Sequence, residues 1–290
     1  MSNQRKKWLI LLTLALVWGS SFILMKKALL GFTQLQLGAL RILVTAAFLL
    51  IIGGKSIKEI QKKHWPYVVY TALLGTLFPA FLFAFALKEL DSSISAILNS
   101  LTPFNTFIIG VLFFGFLVKR RQLIGIFIGL TGTLMLILKG ASLNPDQNYW
   151  YVLLVMISSL GYAINVNMVK KYLQDLSAVA IVTGNFLLLI IPASIVLWYS
   201  DFFTNVEWNS TTWTSFGYIV TLAVIGTGIA KILFNKLVQI STPVFSSSVT
   251  YLIPIVAVVW GVIDGEKLSL EQLLAAVIIL FGVYLVNKKK

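Results

Sequence analysis

Residues 99–110 read NSLTPFNTFIIG, and a similar arrangement, VTYLIPIVAVVWG, returns at 249–261. Each run sets a proline among apolar residues, and the first adds Asn99, Thr102 and Asn105. A proline removes an intrahelical hydrogen bond and crowds the preceding turn, so the meaning of both stretches depends on the solvent in which the chain folds.

Composition identifies that solvent. The 290 residues are 58% hydrophobic and 11% charged, with a mean hydropathy of +0.91, whereas a soluble domain carries about 25% charged residues. Apolar segments long enough to cross a hydrocarbon core about 30 Å thick follow one another from Trp8 to Val286. Ten spans are expected, at 8–25, 35–52, 67–87, 93–117, 122–138, 150–168, 177–199, 213–234, 242–262 and 270–287. The first follows Arg5, Lys6 and Lys7 but is long and lacks a convincing cleavage site, so it reads as a retained helix. The fold class is therefore all-α, a polytopic membrane protein in a lipid bilayer.

The charges serve topology. With the N-terminus inside, 16 of the 23 Lys and Arg fall on cytoplasmic segments, five fall outside, and Arg41 and Lys231 lie within spans. This bias places both termini in the cytoplasm and explains the net charge of +13 without a nucleic-acid partner. There is no cysteine, and the single histidine, His64, sits in a lysine-rich joint. Those two facts leave no cysteine nucleophile, no histidine pair for zinc and no basis for a histidine triad. No enzyme constellation, metal site or cofactor is expected.

A second layer of order is internal. Asn99 to Pro103 aligns with Thr250 to Pro254 at an offset of 151, which also pairs Gly75-Thr76 with Gly226-Thr227 and Gly110 with Gly261. The following span fits an offset of 150, with Gln122 on Gln272 and Gly132 on Gly282. These matches imply two five-helix repeats, 1–139 and 140–290. An odd number of crossings inverts the second copy, so a pseudo-twofold axis in the membrane plane is expected, an arrangement that provides two packings opening on opposite faces.

Polar and aromatic residues within the spans each admit two readings. Pro103 and Pro254, with Asn99, Thr102, Asn105 and Tyr251 nearby, mark either bent helices exposing carbonyls to a central cavity or kinks packed on a neighbour. In GTLFPAFLFAF at 75–85, Pro79 is a third helix interruption, and Phe78 and Phe81 either stack on an organic solute or face lipid. Arg41 lies deep in the second span with no acidic residue deep in any span to meet it; it either contacts an anionic solute group or carbonyls, or snorkels as an anchor. In GTGIAKILFNK at 226–236, Lys231 admits the same pair of readings, with snorkelling favoured, and Asn235 is a further candidate for the solute pathway. Trp18 and Ser21 in the first span, and Tyr162 and Asn165 in the sixth, occupy equivalent regions of the halves; they line a cavity or join helices.

LALVWGSSFILMKK at 14–27, Arg41, Pro103 and GEKLSLEQLLAAVIILFGVYLV at 265–286 together resemble the drug/metabolite transporter superfamily, specifically its EamA family, over nearly the whole chain. The resemblance implies secondary transport of small organic solutes, often export of amino acids or related metabolites, through a cavity lined largely by spans one, three, four, six, eight and nine. It maps the family's Trp-Gly element onto Trp18 and Gly19, its basic position onto Arg41, its prolines onto Pro103 and Pro254, and its Gly-Glu onto Gly265 and Glu266. The first half departs at LVKRRQ, 117–122, so Glu266 has no symmetric counterpart. The function expected is export or exchange of small organic metabolites by alternating access in the cytoplasmic membrane. A solute channel and a nontransporting structural membrane protein are the alternatives.

Overall fold

The computed structural model describes residues 3–115, 120–143, 148–266 and 268–287. Residues 116 and 117 of the fourth expected span, and the basic residues Lys119, Lys267 and Lys288 to Lys290, lie outside the described residues. In chain order the helical segments are α1 (Gln4–Ala28), α2 (Gln34–Glu59), α3 (Lys62–Glu89), α4 (Ser92–Phe114), α5 (Arg120–Leu143), α6 (Tyr149–Tyr172), α7 (Ala178–Tyr199), α8 (Ser210–Ile240), α9 (Pro243–Ile263) and α10 (Leu270–Asn287). By their described residues eight of these, α1 to α4 and α6 to α9, are long and apolar enough to cross a membrane. α5 runs through Lys139 to Leu143, so the expected boundary between 139 and 140 falls in its last turn.

Large apolar side chains cover the exterior. Ile51 is 84% exposed and Phe113 and Ile191 are each 71% exposed, a surface that only lipid accommodates. Trp150, Trp198, Tyr199 and Trp213 are exposed near segment ends, at the level where amphipathic rings settle. The chain is an all-α polytopic membrane protein.

Local chemistry sets the helix ends. Thr33 and Gln36 exchange side-chain and backbone hydrogen bonds to start α2, and Ser269 and Gln272 do the same for α10, each satisfying two otherwise orphaned groups. At the end of α9, Gly265 adopts φ 85°, while its N–H bonds the Val262 carbonyl and the Glu266 N–H bonds the Gly261 carbonyl. That is a Schellman stop, which requires the left-handed conformation glycine allows.

Four segments are interrupted, and the interruptions come in pairs. α4 breaks at Ser100 and Leu101 and restarts at Thr102 with Pro103 in its first turn; α9 passes through a 3-10 stretch, Ser248–Tyr251, before Pro254. α3 and α8 instead contain π-helical stretches at Leu73–Leu77 and Leu222–Ile229. α5 and α10 pack backbone to backbone: a Cβ on Gly132 would come within 2.9 Å of the Ala275 carbonyl oxygen, and one on Gly282 within 2.5 Å of the Gly129 nitrogen. Small residues permit that approach.

Candidate functional site

The bundle encloses a cavity of about 100 Å³ between α1, α2, α3, α4, α6, α7, α8 and α9. Trp18, Ser21, Arg41, Asn99, Thr102, Tyr162, Asn165, Lys231 and Asn235, separated by up to 217 residues of sequence, all line it. Phe78, Phe81, Asn105 and Tyr251 do not. Phe78 is 50% exposed, Phe81 packs on Gly38 of α2, and Tyr251 rests on the central apolar cluster. Asn105 donates to Ser159 Oγ at 2.8 Å, joining α4 to α6.

The wall that α3 supplies is Phe83, which stacks on Tyr162 at 6.1 Å and meets Phe22 edge-on at 5.6 Å. A π turn inserts a residue and rotates everything after it relative to a regular helix; the stretch at Leu73–Leu77 lies immediately before these phenylalanines. Trp18 and Phe234 form a further aromatic wall, 5.1 Å apart. Asn185 of α7 also lines the cavity; a lone amide in an otherwise apolar span gives no pattern in the sequence that marks it.

The proline breaks do not present free carbonyls at the positions hydroxyls reach. Ser100 Oγ donates to the Ile97 carbonyl at 2.5 Å and Thr102 Oγ1 to the Asn99 carbonyl at 2.7 Å. In the second half Ser248 and Thr250 treat the Phe245 and Ser247 carbonyls alike, at 2.6 and 2.9 Å. The carbonyl that Pro103 frees, that of Asn99, is thus sealed locally.

The π turns supply the exposed carbonyls instead. Proline at position 79 cannot donate to the carbonyl four residues earlier, which is that of Gly75, and Lys231 Nζ of α8 donates to it at 2.5 Å. In the other direction Trp18 Nε1 of α1 donates to the Gly226 carbonyl at 2.9 Å. Thr45 Oγ1 donates to Ala223 O at 2.9 Å. Both π-turn glycines also admit a polar side chain at close range: a Cβ on Gly75 would lie 2.5 Å from Asn165 Oδ1, and one on Gly226 lies 2.9 Å from Ser21 Oγ. Arg41 Nε donates to Thr227 Oγ1 at 2.8 Å.

A second constellation closes one end of the bundle. Glu266 Oε1 accepts from Lys26 Nζ at 2.8 Å, Ser92 N at 3.0 Å and Ser92 Oγ at 2.6 Å; Oε2 accepts from Ser93 N at 3.2 Å and Ser93 Oγ at 2.6 Å. The carboxylate therefore caps the N-terminus of α4, where the helix dipole favours an anion. Asp264 pairs with Lys27 and, at 3.7 Å, with Lys26. Burial alone would raise the Glu266 carboxyl, but the hydrogen bonds from Lys26, Ser92 and Ser93 outweigh it and hold the group down from 4.5 to about 2. At the opposite ends of the helices, His64 and Lys63 meet Asp175 at 2.8 and 3.4 Å, and the His64 hydrogen bond lowers the Asp175 carboxyl.

The EamA-like transporter family matches this chain twice, at residues 6–138 and 149–288. The chain is 26% identical to the uncharacterized inner membrane transporter YedA of Escherichia coli (strain K12), covering 97% of this chain and 90% of that protein. It is 27% identical to a protein of Salmonella typhimurium (strain LT2) named "Probable amino-acid metabolite efflux pump", over 97% of this chain and 94% of that one. A crystal structure at 17% identity superposes with a TM-score of 0.68, covering 96% of this chain and 95% of the other. Two family matches spanning nearly the whole sequence settle what kind of molecule encloses this cavity: the chain belongs to the EamA-like transporter family and is a secondary transporter of small organic solutes, not an enzyme.

Proposed function

We propose that the protein exports or exchanges small organic metabolites, amino acids or related compounds among them, by alternating access in a bacterial-type cytoplasmic membrane, both termini being cytoplasmic. In this reading ten spans form two inverted five-helix halves, 1–139 and 140–290, with the solute held in the central cavity. The observation that carries it is the reciprocal contact across the cavity. Lys231 of the second half reaches the π turn of the first, and Trp18 of the first half reaches the π turn of the second. Pairs of π turns and pairs of broken helices at matched positions, and the double family match, support the duplication. The name of the Salmonella relative supports the solute class.

Two related packings then exchange by rocking the halves about the site. The Lys26, Glu266, Ser92 and Ser93 cluster ties α1, the start of α4 and the end of α9, and acts as the latch that holds one face shut. Export needs the latch to open once the solute is seated. The test is a labelled-metabolite panel on purified protein in sealed liposomes: saturable efflux of at least one solute is expected, and a folded, oriented preparation that moves none of a broad panel would overturn the reading.

A further inference from the structure

Two cations face the central cavity with neutral partners only. Arg41 places Nε on Thr227 Oγ1 at 2.8 Å and Nη1 on the Met25 sulfur at 3.3 Å. Lys231 places Nζ on the Gly75 carbonyl at 2.5 Å. A guanidinium carries five N–H donors and an ammonium three, so most of this donor capacity is open among the described residues. Among the described residues that line the cavity there is no Asp, Glu or His.

A smaller adjoining cavity shares Arg41, Tyr162 and Lys231 and adds Thr76. The Thr76 residue is 4% exposed, and its hydroxyl has no hydrogen-bond partner among the described residues. Arg41, Lys231 and Thr76 thus bring open donors to this junction, beside the neutral amides of Asn165 and Asn235. A buried charge left without its partner is strongly destabilising, and charges within the membrane persist where they have work to do. Here two basic side chains are kept side by side with no acid among the described lining residues.

We infer that the cavity binds the anionic group, carboxylate or phosphate, of a small organic solute that carries no compensating positive charge. The anion sits between Arg41 and Lys231 within reach of Thr76, where a guanidinium offers the paired donors that planar oxyanions accept. Phe22, Phe83 and Tyr162 pack its apolar part. This rests on the transport reading for the role of the cavity and narrows its solutes from amino acids and related compounds to the anionic ones.

The test uses the purified full-length chain at constant ionic strength. Thermal shift is measured with pyruvate, phenylpyruvate, glycerol phosphate, alanine, ethanolamine, lactamide and glycerol, and the same compounds compete for tracer flux in liposomes. Saturable stabilisation by a carboxylate or by glycerol phosphate is expected; comparing those arms tells which oxyanion is preferred. Lactamide, glycerol and ethanolamine are expected to be inert, and alanine weaker than the anions. Arg41→Gln and Lys231→Gln should each weaken anion binding about tenfold or more, tenfold being 1.4 kcal/mol. Arg41→Lys and Lys231→Arg, which preserve charge, should retain selectivity for anions and keep the question open to measurement if the glutamine variants do not fold.

No saturable shift by any anion, equal binding of neutral or cationic compounds, or anion binding unchanged in both glutamine variants would overturn the inference. Anion binding without flux of any solute leaves the anion site standing and removes the transport reading. Flux of neutral or zwitterionic solutes that anions neither join nor inhibit does the reverse.

Discussion

Trp18 donates its indole N–H to the Gly226 carbonyl at 2.9 Å, a group that the surrounding π turn leaves facing the cavity. Trp18→Phe keeps an aromatic wall but leaves that carbonyl unpaired, so a loss of about 1–3 kcal/mol is expected, read as a lower melting temperature in detergent; an unchanged melt would remove the contact from the account. Glu266 gives a pH signature. Its folded carboxyl titrates near 2 rather than 4.5, so its stabilising contribution is fully present above 4.5 and is lost only as pH falls toward 2. Glu266→Gln should therefore melt below the parent at neutral pH, with the gap closing across that acid window; a gap that stays constant down to the lowest pH would show that charge plays no part. Residue type announced the polar lining at Asn99, Thr102, Asn165 and Asn235, because amides and hydroxyls within membrane spans need partners or a cavity. It misplaced Asn105, whose partner Ser159 lies on another helix and is invisible to spacing along one chain segment.

The two π turns are the elements from which the site is built. Each exposes a carbonyl of the Gly-Thr step, Gly75 or Gly226, to a donor from the opposite half, and glycine is needed there because a side chain of the other half crowds the position. α3 and α6 are held at the same closeness elsewhere: a Cβ on Gly161 would lie 2.5 Å from the Leu74 carbonyl oxygen. Gly161→Ala must displace α6 from the π turn, and a loss of about 1–3 kcal/mol is expected from overpacking, with melting again the readout; a variant as stable as the parent would mean the helices yield freely. The sequence carried the signals for these elements, Gly-Thr repeated at an offset of 151 and Pro79 four residues beyond Gly75. It did not carry their geometry. Proline at position 103 looks like the more conspicuous break, yet Ser100 and Thr102 hydroxyls seal it, while the turn before Pro79 changes the phase of the phenylalanines and puts Phe83 rather than Phe78 at the cavity. The apolar length of α1 to α4 and α6 to α9 was legible because bilayer thickness is a strict ruler; helix phase after an irregular turn has no such ruler.

Across the whole molecule the cavity lies between the proposed latch at one end, centred on Glu266, and the His64, Lys63 and Asp175 cluster at the other. If the latch holds one face shut, neutralising it shifts the balance between the packings. The chain contains no cysteine, so a single Ser247→Cys reporter on the cavity wall can be labelled from either side with a membrane-impermeant thiol reagent. Adding Glu266→Gln should speed labelling from the latch side and slow it from the other; equal acceleration from both sides would point to loosening rather than to a gate. The most direct test of alternating access is counterflow in liposomes: external tracer uptake is measured with and without unlabelled solute inside. Saturable uptake that internal solute accelerates is predicted, because a loaded site returns faster than an empty one. Uptake that rises linearly with concentration and ignores the internal solute would contradict a carrier.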